Sequence, residues 1–220
     1  MTDRPLRQLA YRYRWIYDSV TAVSSVAVGG VQRLRSLGVE LLIDRLPPGS
    51  AVLDLCCGSG DAAAPFMAAG FDVSGLDISA RALELAAKRY PALKLVQGLA
   101  EKPPLEASTF AAIQLSLALH EFPAEERWCL LEAAKSLLLP GGWLVIVDLH
   151  PAGAGLAPLQ NLFCAMFETE TAIDFLAIPL AQELTKRGWK VERKDLLAGG
   201  TLQRLLCTPE LMKSWVTKPP

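Results

Sequence analysis

The sequence predicts an α/β protein with a doubly wound, mostly parallel sheet. Apolar segments of strand length alternate with segments of helical periodicity, and this alternation implies right-handed crossovers between parallel strands. A strand at 51–56 runs into a glycine turn, and the next strand, at 72–77, ends in a carboxylate. With 220 residues, 51% of them hydrophobic and 20% charged, the chain can form one domain with helices on both faces of the sheet.

A helix precedes the predicted sheet. Apolar residues share one helical face between residues 31 and 46, and Pro47-Pro48-Gly49 ends that helix. The following elements are a strand at 51–56, a helix at 61–69, a strand at 72–77, a helix from a Ser79 cap to Tyr90, and strands at 93–97 and 111–117. The turn at 139–142 then stops a helix and begins a strand that carries Asp148 at its far end.

The regular alternation ends after Asp148. Residues 151–167 form an apolar segment containing Gly and Pro, which is a natural place for a cap that recognises an acceptor. A helix is predicted at 173–187, followed by strands at 190–194 and 201–207 joined through Gly199-Gly200.

The turn after the first strand is typical of a nucleoside-cofactor site. A ligand laid across a strand end must meet backbone N–H groups, and a Cβ at Gly58 or Gly60 would hold it away. Asp77, 17 residues after Gly60, falls at the tip of the neighbouring strand, where a carboxylate can accept both ribose hydroxyl protons.

Two cofactor classes fit this loop. The run from Gly58 to Ala63 also fits the Gly-x-Gly-x-x-Gly/Ala fingerprint, so an NAD(P)-dependent oxidoreductase is an alternative. Against it, Asp54 lies inside the first strand, where dinucleotide-binding domains keep an apolar run, and such a carboxylate needs donors or a cationic ligand. The turn at 139–142 before a strand ending in Asp148 is the second argument against it.

Three motifs together resemble the class I S-adenosylmethionine-dependent methyltransferases over residues 40–208. They are Asp54-Leu-x-x-Gly58-x-Gly60, the strand-end Asp77, and the Leu139-Pro-Gly-Gly142 turn. The resemblance implies a Rossmann-like sheet of seven strands with one antiparallel edge strand, and S-adenosyl-L-methionine as cofactor with S-adenosyl-L-homocysteine as product. It also implies a helical lid segment at 1–46, a core at 47–208 with a cap insertion at 151–172, and a tail at 209–220.

A narrower resemblance concerns the glycine loop. The run Leu53-Asp-Leu-Cys-Cys-Gly-Ser-Gly-Asp61 is similar to that of the methyltransferases of ubiquinone, menaquinone and phylloquinone synthesis, and Tyr17-Asp18 resembles their Tyr-Asp segment. After the fourth strand those enzymes carry Arg-Asn, whereas this chain has Leu119-His120-Glu121-Phe122. A divergent relative with another acceptor therefore fits as well as a quinone enzyme.

The resemblance implies cofactor contacts residue by residue. Gly58 and Gly60 would let the backbone approach the methionine part, with Asp54 holding the loop or facing the amino group, while Asp77 takes the ribose hydroxyls and Ile78 packs on adenine. The complete implied set is Asp54, Cys56, Gly58, Ser59, Gly60, Asp77, Ile78, Leu99, Ala100 and Ser116.

Adenine recognition departs from the family pattern. Leu99-Ala100 follows the third strand, where the family often has an Asp that accepts the adenine amino hydrogen. Because leucine cannot accept a hydrogen bond through its side chain, this role falls to backbone groups or to Glu101.

The two histidines of the chain are the candidate acid/base residues. His120 and His150 both follow the carboxyl ends of predicted central strands, where ligands of open parallel sheets bind, and imidazole titrates near working pH. Each could instead cap a strand or bond a carbonyl group. Glu121 and Asp148 are carboxylates near the acceptor position, and Tyr17 could face the acceptor or pack in the lid.

Composition bounds the partners. A net charge of −1 and a pI near 6.2 give no attraction for a phosphate backbone, so nucleic acid is not expected as acceptor. Five cysteines without metal spacing or a disulfide pattern predict no metal site and reduced thiols in the cytoplasm. The uncharged stretch at 149–167 is broken by proline, so stable membrane insertion is not expected, although peripheral contact is permitted.

The sequence thus predicts an S-adenosylmethionine-dependent methyltransferase with a small apolar or aromatic acceptor of the quinol or phenol type. The alternatives are the NAD(P)-dependent oxidoreductase and a protein that binds S-adenosylmethionine without catalysis.

Overall fold

The computed structural model describes residues 25–167 and 170–210. One sheet contains the strands β1 (Ala51–Leu55), β2 (Asp72–Asp77), β3 (Lys94–Gln97), β4 (Phe110–Ser116), β5 (Leu138–Leu149), β6 (Trp189–Leu197) and β7 (Leu202–Pro209). The α-helices in the described ranges are α1 (Val31–Ser36), α2 (Ala64–Ala68), α3 (Ala80–Arg89), α4 (Ala124–Leu137), α5 (Ala157–Phe167), α6 (Glu170–Leu176) and α7 (Leu180–Lys186). Short 3-10 helices lie at Val26–Val28, Val39–Leu41, Leu119–Glu121 and Ala198–Gly200.

The strand order β3-β2-β1-β4-β5-β7-β6 confirms the predicted fold class. Strands β1 to β5 pair in parallel, and β7 runs antiparallel between β5 and the outermost strand β6. The chain proceeds from β1 to one side and returns to begin β4 on the other. Ligands of open α/β sheets bind outside the carboxyl ends of the strands at this reversal.

Both faces of the sheet are buried, as parallel strands require. Leu53 of β1 belongs to the core that α4, α6 and α7 cover, whereas Val52 belongs to the opposite core, which contains Leu37 and Phe66. Successive residues of a strand point to opposite faces of the sheet. This alternation therefore decides on which face each polar side chain near a strand end lies.

Two of the predicted helices are divided. The helix expected at 31–46 ends at Ser36, and an ideal Cβ at Gly38 would lie 1.8 Å from Gln114 Oε1, so this turn lets a buried amide of β4 approach the backbone. The helix expected at 173–187 is α6 followed by α7, with Pro179 at the break because its ring cannot continue a helix.

The turn expected at 139–142 lies within β5. The register between β4 and β5 passes from Phe110↔Leu138 to Ala112↔Trp143, so the Pro-Gly-Gly segment forms an irregularity with Gly141 at φ +76°. The strand nevertheless delivers Asp148 to the carboxyl edge as expected.

Arg204 ties the β6–β7 hairpin to the segment before the sheet. Its guanidinium, 7% exposed, donates to the Leu37 carbonyl over 3.0 Å and to Glu40 over 2.9 Å, and it also binds Asp195 over 2.8 Å. Because arginine remains charged when buried, these partners are what make its burial tolerable.

The predicted domain boundaries remain predictions. Residues 1–24, 168–169 and 211–220 lie outside the described ranges, and with them most of the expected lid at 1–46, most of the tail at 209–220, and Tyr17. In the parts that the structure describes, no helix is both long and apolar enough to cross a membrane.

Candidate active site

A cavity of about 750 Å³ opens at the carboxyl ends of β1 to β4. Its wall is formed by residues that follow these strands and by the first turns of α3 and α4. The lining residues are Cys56, Gly58, Ser59, Asp61, Leu76, Asp77, Ile78, Ser79, Arg81, Ala82, Leu85, Leu99, Ala100, Glu101, Leu117, Ala118, Glu121, Phe122 and Glu126.

The glycine turn exposes its backbone to this cavity at Gly58. Its φ of +52° is a left-handed conformation, and an added Cβ would have no atom within 4 Å. The Gly58 N–H donates to Asp77 Oδ2 over 2.8 Å, and the Ser79 N–H donates to Asp77 Oδ1 over 2.9 Å. Each carboxylate oxygen has a further lone pair, so Asp77 can accept ligand hydroxyls while it holds both turns.

Gly60 has a different role from the one that its motif implies. A Cβ there would meet Leu93 at 2.9 Å and Tyr90 at 3.0 Å, and Gly60 does not line the cavity. Its φ of +77° and this close packing show that the glycine is needed to seat the loop against α3.

Asp61 anchors the same loop and lines the cavity. It accepts hydrogen bonds from Ser59, Tyr90 and Arg89, and Arg35 of α1 lies 3.2 Å from its Oδ2. One carboxylate therefore joins the glycine turn to α1 and α3. Asp61 ends the glycine-loop run that resembles the quinone methyltransferases, but the sequence motifs did not predict a role for it.

Asp54 lies beneath the turn, not on the cavity wall. It is 2% exposed, its Oδ1 accepts from Gln114 Nε2 over 3.1 Å, and its Oδ2 has no hydrogen-bond partner among the described residues. Burial raises the pKa of Asp54 to about 7, and the hydrogen bond from Gln114 partly opposes this rise. Gln114 also binds the Ala62 carbonyl, so the pair supports the loop from below.

Two apolar side chains lie just beyond the carboxyl ends of the neighbouring strands β2 and β3. Ile78 is 63% exposed and Leu99 is 45% exposed, although both line the cavity. Glu101, on the same wall, is the carboxylate nearest in sequence to the position where the family has its Asp. Such a slot suits a flat ring with a hydrogen-bond donor at its edge.

The two loop thiols, Cys56 and Cys57, favour their protonated form. Cys56 lines the cavity, and burial raises the pKa of the Cys56 and Cys57 thiols, with further contributions from Asp77 and Asp54. Cys56, Cys57, Cys129 and Cys207 form no disulfide within the described ranges, and no His/Cys/Asp/Glu group among the same residues could hold a metal ion.

A second polar cluster adjoins the cavity where β4 and β5 end. Asp148 is fully buried and accepts from the backbone N–H groups of Leu119 (2.8 Å) and Leu149 (2.7 Å). His120 Nδ1 lies 2.6 Å from Asp148 Oδ1. Because Asp148 already accepts two backbone protons, it acts as a carboxylate and His120 Nδ1 carries the proton. The ring is 5% exposed, and its Nε2 lies 3.8 Å from Glu121 of the cavity wall.

His150 lies elsewhere. Its Nδ1 is 2.8 Å from the Gly200 carbonyl, its Nε2 is 3.4 Å from Lys194 Nζ, and it does not line the cavity. Gln160 of α5 donates to the His150 carbonyl and accepts from the Ala152 N–H, so this region fastens the cap segment to β5.

The structure thus brings together most of the predicted cofactor residues. Those on the cavity wall are Cys56, Gly58, Ser59, Asp77, Ile78, Leu99 and Ala100, and those off it are Asp54, Gly60 and Ser116. Of the predicted acceptor and acid/base residues, Glu121 lines the cavity, His120 and Asp148 lie behind it, and Tyr17 is outside the described residues.

The cavity fits S-adenosylmethionine by its shape and its charge. An open glycine backbone, a strand-end carboxylate and an apolar slot line one continuous space, and its charged residues are Asp61, Asp77, Glu101, Glu121, Glu126 and Arg81. This excess of carboxylates favours a cationic ligand such as a sulfonium with an ammonium group. The fold and the cavity together define an α/β transferase with a nucleoside cofactor.

Comparison with known proteins makes the assignment specific. A methyltransferase domain model matches residues 52–142. An uncharacterized methyltransferase from Synechocystis sp. is 38% identical over 198 residues, which cover 90% of this chain and 92% of the relative. The chain belongs to the S-adenosylmethionine-dependent methyltransferases, which sets aside the oxidoreductase alternative.

Two further likenesses are more distant. A 2-phytyl-1,4-naphtoquinone methyltransferase from Thermosynechococcus vestitus is 34% identical over 58% of this chain and 59% of its own length. The glycopeptide N-methyltransferase MtfA in complex with S-adenosyl-L-methionine superimposes with a TM-score of 0.59 and 18% identity, covering 80% of this chain and 93% of MtfA. The predicted cofactor and enzyme class are confirmed.

Proposed function

We propose that this methyltransferase acts on a small acceptor with a phenolic or quinol hydroxyl, or a ring carbon activated by one. The observation that carries the proposal is the buried Asp148–His120 pair directly behind the cavity wall. Such acceptors must lose a proton when they are methylated, and a carboxylate-oriented imidazole can take it. An amine-directed enzyme has less need of that pair.

The shape of the wall supports this acceptor class. Leu117, Ala118 and Phe122 give the β4 end an apolar surface, and Glu121 places one carboxylate in it. The same carboxylate-rich cavity and the net charge of −1 disfavour a nucleic-acid acceptor. The Thermosynechococcus relative is also named for a quinone acceptor.

In this proposal each residue of the site has a separate role. When bound, the cofactor supplies an electrophilic methyl group on a positively charged sulfur. Gly58 and Asp77 hold the cofactor, and the apolar wall excludes water and aligns the acceptor. Glu121 would accept a hydrogen bond from the acceptor hydroxyl and pass its proton to Nε2 of His120, which lies 3.8 Å from the Glu121 carboxylate. Asp148 stabilises the resulting imidazolium. In this proposal His150 fastens the cap and takes no proton.

A panel of quinols, phenols and amines tests the proposal. Purified protein is incubated with S-adenosylmethionine and each acceptor, and methylated products are measured by mass spectrometry. We expect methylation of quinols or phenols. Methylation confined to amines, or cofactor binding without methylation of any acceptor in the panel, would reject it.

We also propose a cytoplasmic location for the protein, because its five cysteines follow no disulfide pattern.

A further inference from the structure

Arg127 of α4 is a buried arginine that belongs to none of the sequence motifs described above. Its side chain is 1% exposed, which is rare for a charged group. Nε donates to the Leu119 carbonyl over 3.1 Å and Nη2 donates to the Phe122 carbonyl over 2.7 Å, while within the described part of the chain Nη1 has no hydrogen-bond partner. Both bonded carbonyls belong to the 119–122 turn.

That turn carries His120 and Glu121. From the side of β5, Asp148 binds the Leu119 N–H and the His120 ring. From the side of α4, Arg127 binds the carbonyl groups at both ends of the turn. The turn is therefore held at the Leu119 N–H and the His120 ring by an anion and at two carbonyl groups by a cation.

Phe175 of α6 completes the arrangement. The guanidinium carbon of Arg127 lies 4.9 Å from the Phe175 ring centroid, and the same ring meets the His120 ring edge-on with 6.4 Å between centroids. The side chain of Phe175 is 1% exposed. His120 thus has the Asp148 carboxylate on one ring nitrogen and a packed aromatic ring beside it.

We propose that Arg127 is a positioning residue, which fixes the 119–122 turn so that Glu121 lines the acceptor end of the cavity with His120 directly behind it. A well-packed apolar residue could fill this buried position without a desolvated charge, so packing alone does not explain an arginine there. Two donors in the planar geometry of a guanidinium can bind two carbonyl groups of one turn at once. The proposal rests on the proposed role of His120 in catalysis.

Chain composition gives an unusually direct test, because the sequence contains only two histidines. In ¹⁵N-labelled protein without a histidine tag, the ring signals of His120 report the turn and those of His150 serve as an internal reference. We expect Arg127→Met to change the ring nitrogen and proton shifts of His120 and to leave those of His150 unchanged. Unaltered His120 signals in a folded variant would overturn the proposal, whatever the acceptor is.

Lys135 provides a matched control on the same helix. Its ammonium donates to the Arg187 carbonyl over 2.7 Å and lies 5.2 Å from the Trp189 ring centroid, so it also joins a backbone carbonyl and an aromatic ring. Lys135→Met should affect stability without moving the His120 signals. If it moves them as Arg127→Met does, the effect is general loosening of α4 and the proposal fails.

Turnover provides the second readout, with any acceptor that the panel identifies. Displacement of the turn should lower kcat by ~10- to 100-fold, while the Kd for S-adenosylmethionine stays within about twofold. Arg127→Lys, which keeps the charge but lacks the planar fork of the guanidinium, should fall between wild type and Arg127→Met and covers the case in which the methionine variant does not fold. Equal losses of cofactor affinity and turnover would mark Arg127 as merely structural. A shift of the His120 signals without any effect of His120→Ala on turnover would reject the proposed function instead.

Discussion

Gln114 on β4 donates a hydrogen bond to Asp54 on β1, with 3.1 Å between Nε2 and Oδ1, and both side chains are almost fully buried. Burial raises the pKa of Asp54 from 3.8 to about 7. Between pH 3.8 and about pH 7, this carboxyl group is protonated in the folded protein and ionised in the unfolded chain, so folding takes up a proton. Its contribution to stability is complete below the lower value and is lost as the pH rises through about 7.

We therefore expect the free energy of unfolding of the cofactor-free protein to fall between about pH 4 and about pH 7, and Asp54→Asn to flatten that dependence. Urea denaturation at several pH values measures both. Asp72, whose side chain is 47% exposed and pairs with Lys94, is the control. An identical slope in wild type and Asp54→Asn, or equal flattening by Asp72→Asn, would contradict the assignment.

Gly58→Ala should weaken cofactor binding more than it weakens the fold. The added methyl group enters open space on the cavity side, where overlap with a bound ligand costs ~1–3 kcal/mol, or about 5- to 150-fold in Kd. Gly49 has a comparable left-handed φ of +83° with nothing near its Cβ, but it lies outside the cavity wall. Calorimetry should show a raised Kd for Gly58→Ala only; parallel changes in both variants would mean that backbone strain, not the cavity, is responsible.

His120→Ala should reduce turnover by ~10²- to 10⁴-fold, the usual contribution of a general base, with nearly unchanged affinity for S-adenosylmethionine. His150→Ala is the matched control, since that ring binds the Gly200 carbonyl away from the cavity. Steady-state kinetics and calorimetry on both variants decide the matter. Unimpaired turnover in His120→Ala removes this residue from the mechanism, and a comparable loss in His150→Ala would restore it as a candidate.

Gly75→Ala should destabilise the protein by ~1–3 kcal/mol through overpacking. A Cβ at this position of β2 would lie 2.8 Å from Cys57 Sγ, so the strand and the glycine loop touch where only glycine fits. Cys57→Ala removes that sulfur, and the double variant should regain part of the loss in urea denaturation. Strict additivity would show that the two residues are not in contact. Gly153→Ala, with no atom near its Cβ, should change little.

The sequence was sufficient for the sheet and for the cofactor side of the cavity because both depend on local signals. In an alternating α/β pattern, Gly58 and the carboxylate at the end of β2 must both lie at the carboxyl edge of the sheet, where ligands bind. The break at Pro179 was equally local and could have been read from the proline. By contrast, the break at Gly38 depends on the amide of Gln114. That contact joins residues far apart in the chain.

The acceptor side was harder for the same reason. Arg127 follows two glutamates at the start of an amphipathic helix, which is the usual setting of an exposed charge, and its burial depends on two carbonyl groups and on Phe175. Asp148 was expected to contact substrate, but it is fully buried and can do so only through His120. Tertiary contacts, not residue types, decided both outcomes.

The three anchors of Arg204 have a consequence for the order in which the protein matures. The Leu37 carbonyl and the Glu40 carboxylate obtain their cation from a residue that comes 167 and 164 positions later in the chain. During synthesis the early segment therefore lacks the Arg204 cation until nearly the whole sheet has left the ribosome, and until then Arg33, 3.4 Å from Glu40, can pair with that carboxylate. Assembly is closed by β7, the final strand of the described residues, so a ribosome-bound nascent chain cut before that strand should remain sensitive to proteases.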